Sequence, residues 1–116
     1  NKLVNEKNII LLKPVSYHQM LKLNMGAKVM LTDSGGLQEE CSVLGTPCLT
    51  LRENTERPIT LRENGGTSVL VGNDVTSIIA EFNKILLGDM DSKVSRPKFW
   101  DGQTAQRCLD AIINYN

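Results

Sequence analysis

The sequence predicts an α/β fold in which strands and helices alternate around a parallel sheet. Short apolar runs suited to buried strands alternate with segments of helical periodicity. Glycine and proline residues separate these segments, as expected for turns. The clearest unit is residues 29–36, where an apolar run ends in Asp-Ser-Gly-Gly and a helical pattern follows at once. Because strands that alternate with helices pair in parallel through right-handed crossovers, we expect one parallel sheet with flanking helices.

Length and composition indicate one small globular domain. The 116 residues are 41% hydrophobic and 22% charged, and thirteen basic residues balance thirteen acidic ones. This neutral balance argues against electrostatic nucleic-acid binding. No apolar run approaches the roughly 20 residues of a membrane span, and no secretory signal is visible. Since the chain begins with Asn1 rather than Met, we expect a processed or excised piece of a longer protein.

The cysteines and the single histidine do not form a metal-binding pattern. Cys41, Cys48 and Cys108 contain no Cys-x-x-Cys spacing. Neither a disulfide framework nor a metal site is expected, and no cofactor is predicted. Buried, reduced thiols in a cytosolic protein are the favoured interpretation.

The first half of the chain predicts two strands and two helices. Residues 8–12 form a continuous apolar run typical of a strand buried on both faces, and Lys13-Pro14 ends it. Ser16 is a candidate N-cap for a helix that Gly26 can close. A second strand is expected over residues 27–32. A second helix over residues 35–44 follows, with Gly45 just past its end.

The second half continues the alternation. Residues 47–51 predict a third strand, and the polar loop 52–57 leads to Pro58, which suits the first turn of a short helix over 58–64. Gly65-Gly66 is a break before a fourth strand over 67–71.

Two longer helices complete the pattern. Asp74 or Thr76 can cap a helix with an apolar stripe that begins at Ile78. After an irregular stretch over 88–101, residues 103–115 predict a last helix. Its expected inward residues are Ala105, Cys108, Leu109 and Ile112.

The turn Ser34-Gly35-Gly36 is a candidate phosphate site. Two glycines let a ligand approach the backbone, and free amides and the helix dipole favour an anion there. The serine hydroxyl can donate to a phosphate oxygen. A plain N-cap serine after a tight turn is the alternative. The N3 position carries Leu37 rather than the Glu or Gln of a capping box, which leaves the amides unclaimed.

Two glutamates on the following helix differ in their expected environment. Projection on a helical wheel places Glu40 beside an apolar arc formed by Leu37, Cys41 and Leu44, whereas Glu39 points away as a solvent-facing charge. A carboxylate beside an apolar arc needs donors. Ribose hydroxyls of a nucleotide would supply them, and so would a nearby backbone N–H.

The loop after the third strand contains a second candidate group. It opens at the same carboxyl edge of the sheet as Ser34, where ligands of open α/β sheets bind. Arg57, restrained by Pro58, could form a bidentate contact with a phosphate. A charged, solvated loop is the alternative.

These motifs together resemble the non-hydrolysing UDP-N-acetylglucosamine 2-epimerases. The resemblance runs in order along nearly the whole chain. It is carried by residues 32–40 (Thr-Asp-Ser-Gly-Gly-Leu-Gln-Glu-Glu), 44–47 (Leu-Gly-Thr-Pro), 52–58 (Arg-Glu-Asn-Thr-Glu-Arg-Pro), 66–67 (Gly-Thr), 70–72 (Leu-Val-Gly) and 101–102 (Asp-Gly) with Ala105.

The resemblance implies a fold and a reaction. Family members have two Rossmann-like domains with the active site between them, as in GT-B glycosyltransferases. Residues 1–116 would form a single partial Rossmann-like, UDP-binding domain, from the C-terminal part of that GT-B-type fold. Family members are isomerases that interconvert UDP-N-acetylglucosamine and UDP-N-acetylmannosamine by eliminating UDP and adding it back, and their products serve cell-surface polysaccharide biosynthesis.

The resemblance also implies roles for individual residues. Ser34, Gly35 and Gly36 match the diphosphate-binding positions, and Glu40 matches the ribose-binding glutamate. Arg57 matches an arginine near the phosphates. Residues 14–17, with Tyr17, resemble the loop near the uracil. Expected partners are UDP or a UDP-N-acetylhexosamine, the missing N-terminal domain and further copies of the chain.

Departures from the family pattern limit the expected activity. The first domain with its proton-transfer carboxylates is absent, and His18 does not stand at the family's histidine motif. We therefore expect no complete catalytic set and an inactive isolated chain. Two early strands are also missing, which predicts weak stability, a rearranged sheet or self-association. The alternatives are a GT-B glycosyltransferase fragment and a non-catalytic module that binds UDP or a partner.

Overall fold

The architecture is a three-stranded parallel sheet flanked by helices. A computed structural model describes residues 6–88 and 96–115. In chain order, the helices and strands are α1 (Tyr17–Gly26), β1 (Met30–Thr32), α2 (Gly35–Leu44), β2 (Cys48–Thr50), β3 (Ser68–Leu70), α3 (Val75–Leu86) and α4 (Thr104–Ile113). The strands lie in the order β1-β2-β3, and both pairs are parallel. The predicted α/β class and parallel pairing are therefore confirmed.

Three helix ends follow the local chemistry predicted from sequence, whereas α1 ends with Ala27 as its C-cap rather than through a left-handed Gly26. Ser16 caps α1 in a reciprocal arrangement with Gln19, and Asp74 caps α3 through the N–H of Ser77. Gly45 ends α2 with a φ of 81°, a left-handed conformation that costs glycine little.

The run over residues 8–12 is not a strand. In the structure it is irregular, and Ile10 is 82% exposed. An isolated strand leaves its backbone groups unpaired, and no neighbouring strand lies beside this run among the described residues. The prediction of a buried strand is therefore wrong for this chain.

Two other elements differ from expectation. The helix expected over 58–64 is a pair of 3₁₀ turns, Pro58–Thr60 and Arg62–Asn64, which meet at Leu61 in an extended conformation. The expected inward face of α4 is exposed, including Cys108, so the prediction of three buried thiols holds only for Cys41 and Cys48. Part of the irregular stretch expected over 88–101 lies outside the described residues.

The core lies between α2 and the sheet and is small and polar. Its fully buried members are mainly threonine, serine, cysteine and amide side chains around Leu49. The Cys48 thiol and burial raise the pKa of Cys41, so this thiol stays protonated at neutral pH. Within the ranges 6–88 and 96–115, no helix has the length and apolar character that crossing a bilayer requires.

Candidate functional site

The site is built around the N-terminus of α2, directly after β1. The Ser34 N–H donates to the Thr32 hydroxyl (3.1 Å), which fixes the turn between the strand and the helix. Ser34 is the N-cap, and its hydroxyl accepts a long hydrogen bond from the Leu37 N–H (3.4 Å). The predicted cap is therefore present, and its weak geometry leaves the hydroxyl able to exchange partners.

The amides of Gly35 and Gly36 are open to a ligand. First-turn N–H groups have no acceptor within their own helix, and no acceptor outside it is found among the described residues. A Cβ added to Gly36 would lie 3.9 Å from the Ser34 hydroxyl, with nothing closer. The two glycines thus present backbone donors with no side chain of their own to block a ligand, as an anion site requires.

Arg57 lies beside these amides. Its Cγ would be 3.6 Å from a Cβ on Gly35, and its side chain remains half exposed. The Arg57 Nε pairs with the Glu39 carboxylate at 2.8 Å. The structure thus brings Arg57 to the helix N-terminus. Glu39 faces solvent in part, as predicted, and in addition pairs with Arg57.

Glu40 is half-buried and makes no hydrogen bond or ion pair with the described residues. A carboxylate held by a nearby backbone N–H is therefore not what the structure shows. The carboxylate keeps its full capacity to accept hydrogen bonds from a ligand.

The buried face of α2 differs from the predicted arc. Its buried members are Gln38, Cys41 and Ser42, whereas Leu44 is exposed at the helix end. Sequence reasoning missed Gln38, which is completely buried against the loop that holds Arg57. The available signal was the i, i+3, i+4 spacing of these three small or polar residues, which marks a helix face as clearly as leucines do.

In the loop between β2 and the 3₁₀ turns, the other cation is already paired. Arg52 forms a bidentate pair with Glu56, at 3.0 and 2.9 Å. This guanidinium holds the pKa of Glu56 below its usual range. Arg57 is therefore the loop's cation that faces α2.

Tyr17, predicted near the uracil, lies at the start of α1. Its ring contacts His18 edge-to-face at 5.9 Å, and it makes no hydrogen bond to the residues around Ser34. The structure brings Ser34, Gly35, Gly36 and Arg57 together, with Glu40 on the same helix, and leaves Tyr17 outside this group.

Other features do not compete with this site. A depression of about 460 Å³ lies at the outer side of β3, against the second 3₁₀ turn and Glu81, away from the α2 N-terminus. It is lined by Leu61, Arg62, Glu63, Glu81 and the residues of β3. Within residues 6–88 and 96–115, no three His, Cys, Asp or Glu side chains come together as metal ligands.

Comparison with known proteins agrees with the fold. A family model described as UDP-N-acetylglucosamine 2-epimerase matches residues 1–113. The UDP-N-acetylglucosamine 2-epimerase of Methanocaldococcus jannaschii is 46% identical over 115 residues, which are 99% of this chain and 30% of the relative. The Escherichia coli K12 protein of that name is 39% identical over 112 residues, or 93% of this chain and 29% of the relative.

A solved structure extends the comparison to three dimensions. The M. jannaschii protein in complex with UDP-GlcNAc and UDP matches with a TM-score of 0.79 at 37% identity, covering 99% of this chain and 30% of that one. The chain therefore spans about 30% of the length of the relatives it matches. The expected partial GT-B-type domain with a Rossmann-like parallel sheet is confirmed, and the chain belongs to the UDP-N-acetylglucosamine 2-epimerase family.

Proposed function

We propose that this chain is the UDP-binding part of a UDP-N-acetylglucosamine 2-epimerase. One observation carries the proposal: the unclaimed Gly35 and Gly36 amides stand beside the Arg57 side chain at the carboxyl edge of a parallel sheet. This arrangement suits a diphosphate, whose charge the amides, the helix dipole and the guanidinium can share. The relative from M. jannaschii that was solved with UDP-GlcNAc and UDP supports the choice of ligand.

Different residues contact different parts of the nucleotide. Ser34, Gly35, Gly36 and Arg57 bind the diphosphate. Glu40, whose carboxylate has no partner among the described residues, accepts hydrogen bonds from the ribose hydroxyls. Tyr17 is proposed to lie near the uracil once the rest of the protein is present.

In the proposed reaction of the complete protein, these diphosphate contacts act in two steps. When the bond between the sugar and UDP breaks, negative charge develops on the leaving diphosphate. Preorganised amides and an arginine stabilise that charge. When UDP adds back to the glycal on the way from UDP-N-acetylglucosamine to UDP-N-acetylmannosamine, the same contacts keep it in place.

This chain by itself is proposed to be an inactive isomerase piece. The groups that move the proton at C2 of the sugar are expected on the missing N-terminal domain. Cys41, Cys48 and Cys108 are all unpaired, which favours a reducing compartment and hence a cytoplasmic enzyme. Its product is proposed to supply cell-surface polysaccharide synthesis.

Calorimetric titration of the chain with UDP tests the proposal. We expect one site per chain, and about tenfold weaker binding in Ser34→Ala and in Glu40→Ala, because each loses one hydrogen-bonding group that contacts a charged or polar ligand. Glu63→Ala removes an exposed carboxylate in the second 3₁₀ turn and serves as the control. Equal affinity in the wild type and both site variants would refute the placement.

A further inference from the structure

We infer that Gln38 is a positioning residue, which holds the loop of Arg57 at the N-terminus of α2. The inference rests on the proposed function, because its purpose is to set the distance between the Gly35 and Gly36 amides and the cation that shares the diphosphate with them. Gln38 itself is not proposed to contact the ligand. It acts through Thr55 and Thr60.

Gln38 is a buried amide at the junction of the helix and the loop. It is 0% exposed, and it is the first buried residue of α2. Its side-chain amide lies 2.9 Å from the Thr55 hydroxyl and 3.2 Å from the Thr60 hydroxyl. Burial of a polar side chain without hydrogen bonds is unfavourable, so these contacts favour one arrangement of the loop over others.

Both hydroxyls bind the backbone of Arg57. The Arg57 N–H donates to the Thr55 hydroxyl at 3.0 Å, and the Thr60 hydroxyl donates to the Arg57 carbonyl at 2.7 Å. The backbone N–H and carbonyl of Arg57 are thus both hydrogen-bonded to side chains that contact Gln38. Side-chain motion at Gln38 is therefore coupled to the backbone of Arg57.

The chemistry of the contacts orients the Gln38 amide. The Thr55 hydroxyl donates to Gln38 Oε1 at 2.9 Å. The Thr60 hydroxyl lies 3.2 Å from the same oxygen and also donates to the Arg57 carbonyl at 2.7 Å, so its one hydrogen is shared between two acceptors. Gln38 therefore acts as an acceptor for both threonines, while its Nε2 is buried without an acceptor among the described residues.

The same helical turn carries the anion-binding amides. The Gln38 N–H donates to the Ser34 carbonyl at 3.2 Å, the first helical hydrogen bond after the cap. Gln38 thus ties the loop to the turn of α2 that presents Gly35 and Gly36. A small displacement of this loop would change the spacing between the cation and the amides.

The test compares two buried amides of the full chain. Gln38→Met keeps length and removes the polar group. Asn24→Leu is the matched control, since Asn24 is also 0% exposed and contacts α2 through the Cys41 thiol, away from the Arg57 loop. We expect Gln38→Met to bind UDP about tenfold more weakly while its affinity for uridine, which has no phosphate, is unchanged. Asn24→Leu should preserve the ratio of UDP to uridine affinity even where its melting temperature falls.

Thr55→Val tests the same link from the half-buried loop side, so the result does not depend on how well Gln38→Met folds. The double variant should bind UDP no more weakly than the worse single variant, because both remove one chain of contacts. Two results would overturn the inference: additive losses of UDP affinity in the double variant, or equal losses of UDP and uridine affinity in Gln38→Met.

Hydrogen exchange at the Arg57 amide gives a readout without ligand. Exchange should be faster in Gln38→Met than in the wild type and unchanged in Asn24→Leu. Unchanged exchange in Gln38→Met would overturn the inference while leaving UDP binding intact. Absence of UDP binding by the wild type would instead overturn the proposed function, whatever the exchange rates show.

Discussion

At the scale of single residues, the ion pair between Arg57 and Glu39 determines the charge of the site. Both side chains are more than a third exposed, so the pair itself contributes little to stability. Its consequence is electrostatic, because the Glu39 carboxylate lies next to the Arg57 guanidinium that is proposed to bind the diphosphate. Glu39 therefore competes with the ligand for Arg57.

Glu39→Gln is expected to tighten UDP binding about two- to fivefold, because removal of one negative charge near the diphosphate outweighs the loss of an exposed pair. Calorimetry at low and at high salt measures the effect, which should shrink as salt screens the charges. Glu63→Gln, at an exposed position in the second 3₁₀ turn, is the control. Weaker binding in Glu39→Gln would show that Glu39 chiefly orients Arg57.

Gly66 is a second residue on which the site depends. A Cβ at this position would overlap the backbone of Thr60, whose hydroxyl holds the Arg57 carbonyl. The Gly66 N–H donates to the Leu61 carbonyl at 2.9 Å, which draws the chain before β3 tightly against the 3₁₀ turns.

Gly66→Ala should lower the free energy of unfolding by about 1–3 kcal/mol, because the backbone must shift to admit a methyl group. Urea denaturation measures the change. Gly26→Ala is the control: nothing lies within 4 Å of its added Cβ, so at the last residue of α1 the change should alter the free energy of unfolding by less than about 0.5 kcal/mol. Equal stability of the Gly66→Ala variant and the wild type would show that the close approach is not required.

At the scale of the elements, helix caps fix where the helices end, whereas the burial of a helix face depends on the elements packed against it. Asp74 shows how a cap works in this chain. Its carboxylate accepts hydrogen bonds from the Ser77 N–H at 2.8 Å and the Ser77 hydroxyl at 2.7 Å. These donors, the hydroxyl first, hold the pKa of Asp74 below its usual value of 3.8.

This cap makes the stability of α3 depend on pH in a defined direction. A carboxyl whose pKa is lower in the folded state stabilises the fold above its unfolded pKa, and the contribution is lost as pH falls through the folded value. Stability should therefore decline below about pH 4 in the wild type. Asparagine also caps helices but does not titrate, so Asp74→Asn should weaken the loss of stability at low pH. Urea midpoints from pH 2.5 to 6 measure this loss. Parallel pH profiles for the two proteins would exclude the cap as a source of the dependence.

At the scale of the whole molecule, the chain leaves large apolar surfaces uncovered. Its radius of gyration is 17.0 Å, against roughly 13 Å for a compact domain of about 100 residues. The side chains of Ile112 and Ile113 on α4 are 74% and 68% exposed. Because exposed apolar patches of this kind favour association, we expect the chain to self-associate when the rest of its parent protein is absent.

Ile112→Lys should shift the chain toward monomer in sedimentation at tens of micromolar, since it places a charge within the exposed apolar face of α4. Gln106→Lys adds the same charge to that helix at a polar position whose side chain contacts Asp110, and it should not change association. A wild-type chain that sediments as a stable monomer at every concentration would contradict the expectation of self-association.

The sequence by itself determined the three strands of the sheet, the helices α1–α4 and the position of the Ser34-Gly35-Gly36 turn. These features depend on interactions within three or four residues: the caps at Ser16, Ser34 and Asp74, the stop at Gly45, and the bare amides of Gly35 and Gly36. Such interactions are local, so the pattern of residues was sufficient to predict them.

Only the tertiary structure decided which side chains meet. The pairing of Arg57 with Glu39 and the contacts of Gln38 join residues 17 or more positions apart, and no local pattern specifies such pairs. For the same reason residues 8–12 and the apolar face of α4 were predicted to be buried yet are exposed. Burial needs a partner surface, and the described chain does not supply one to either segment.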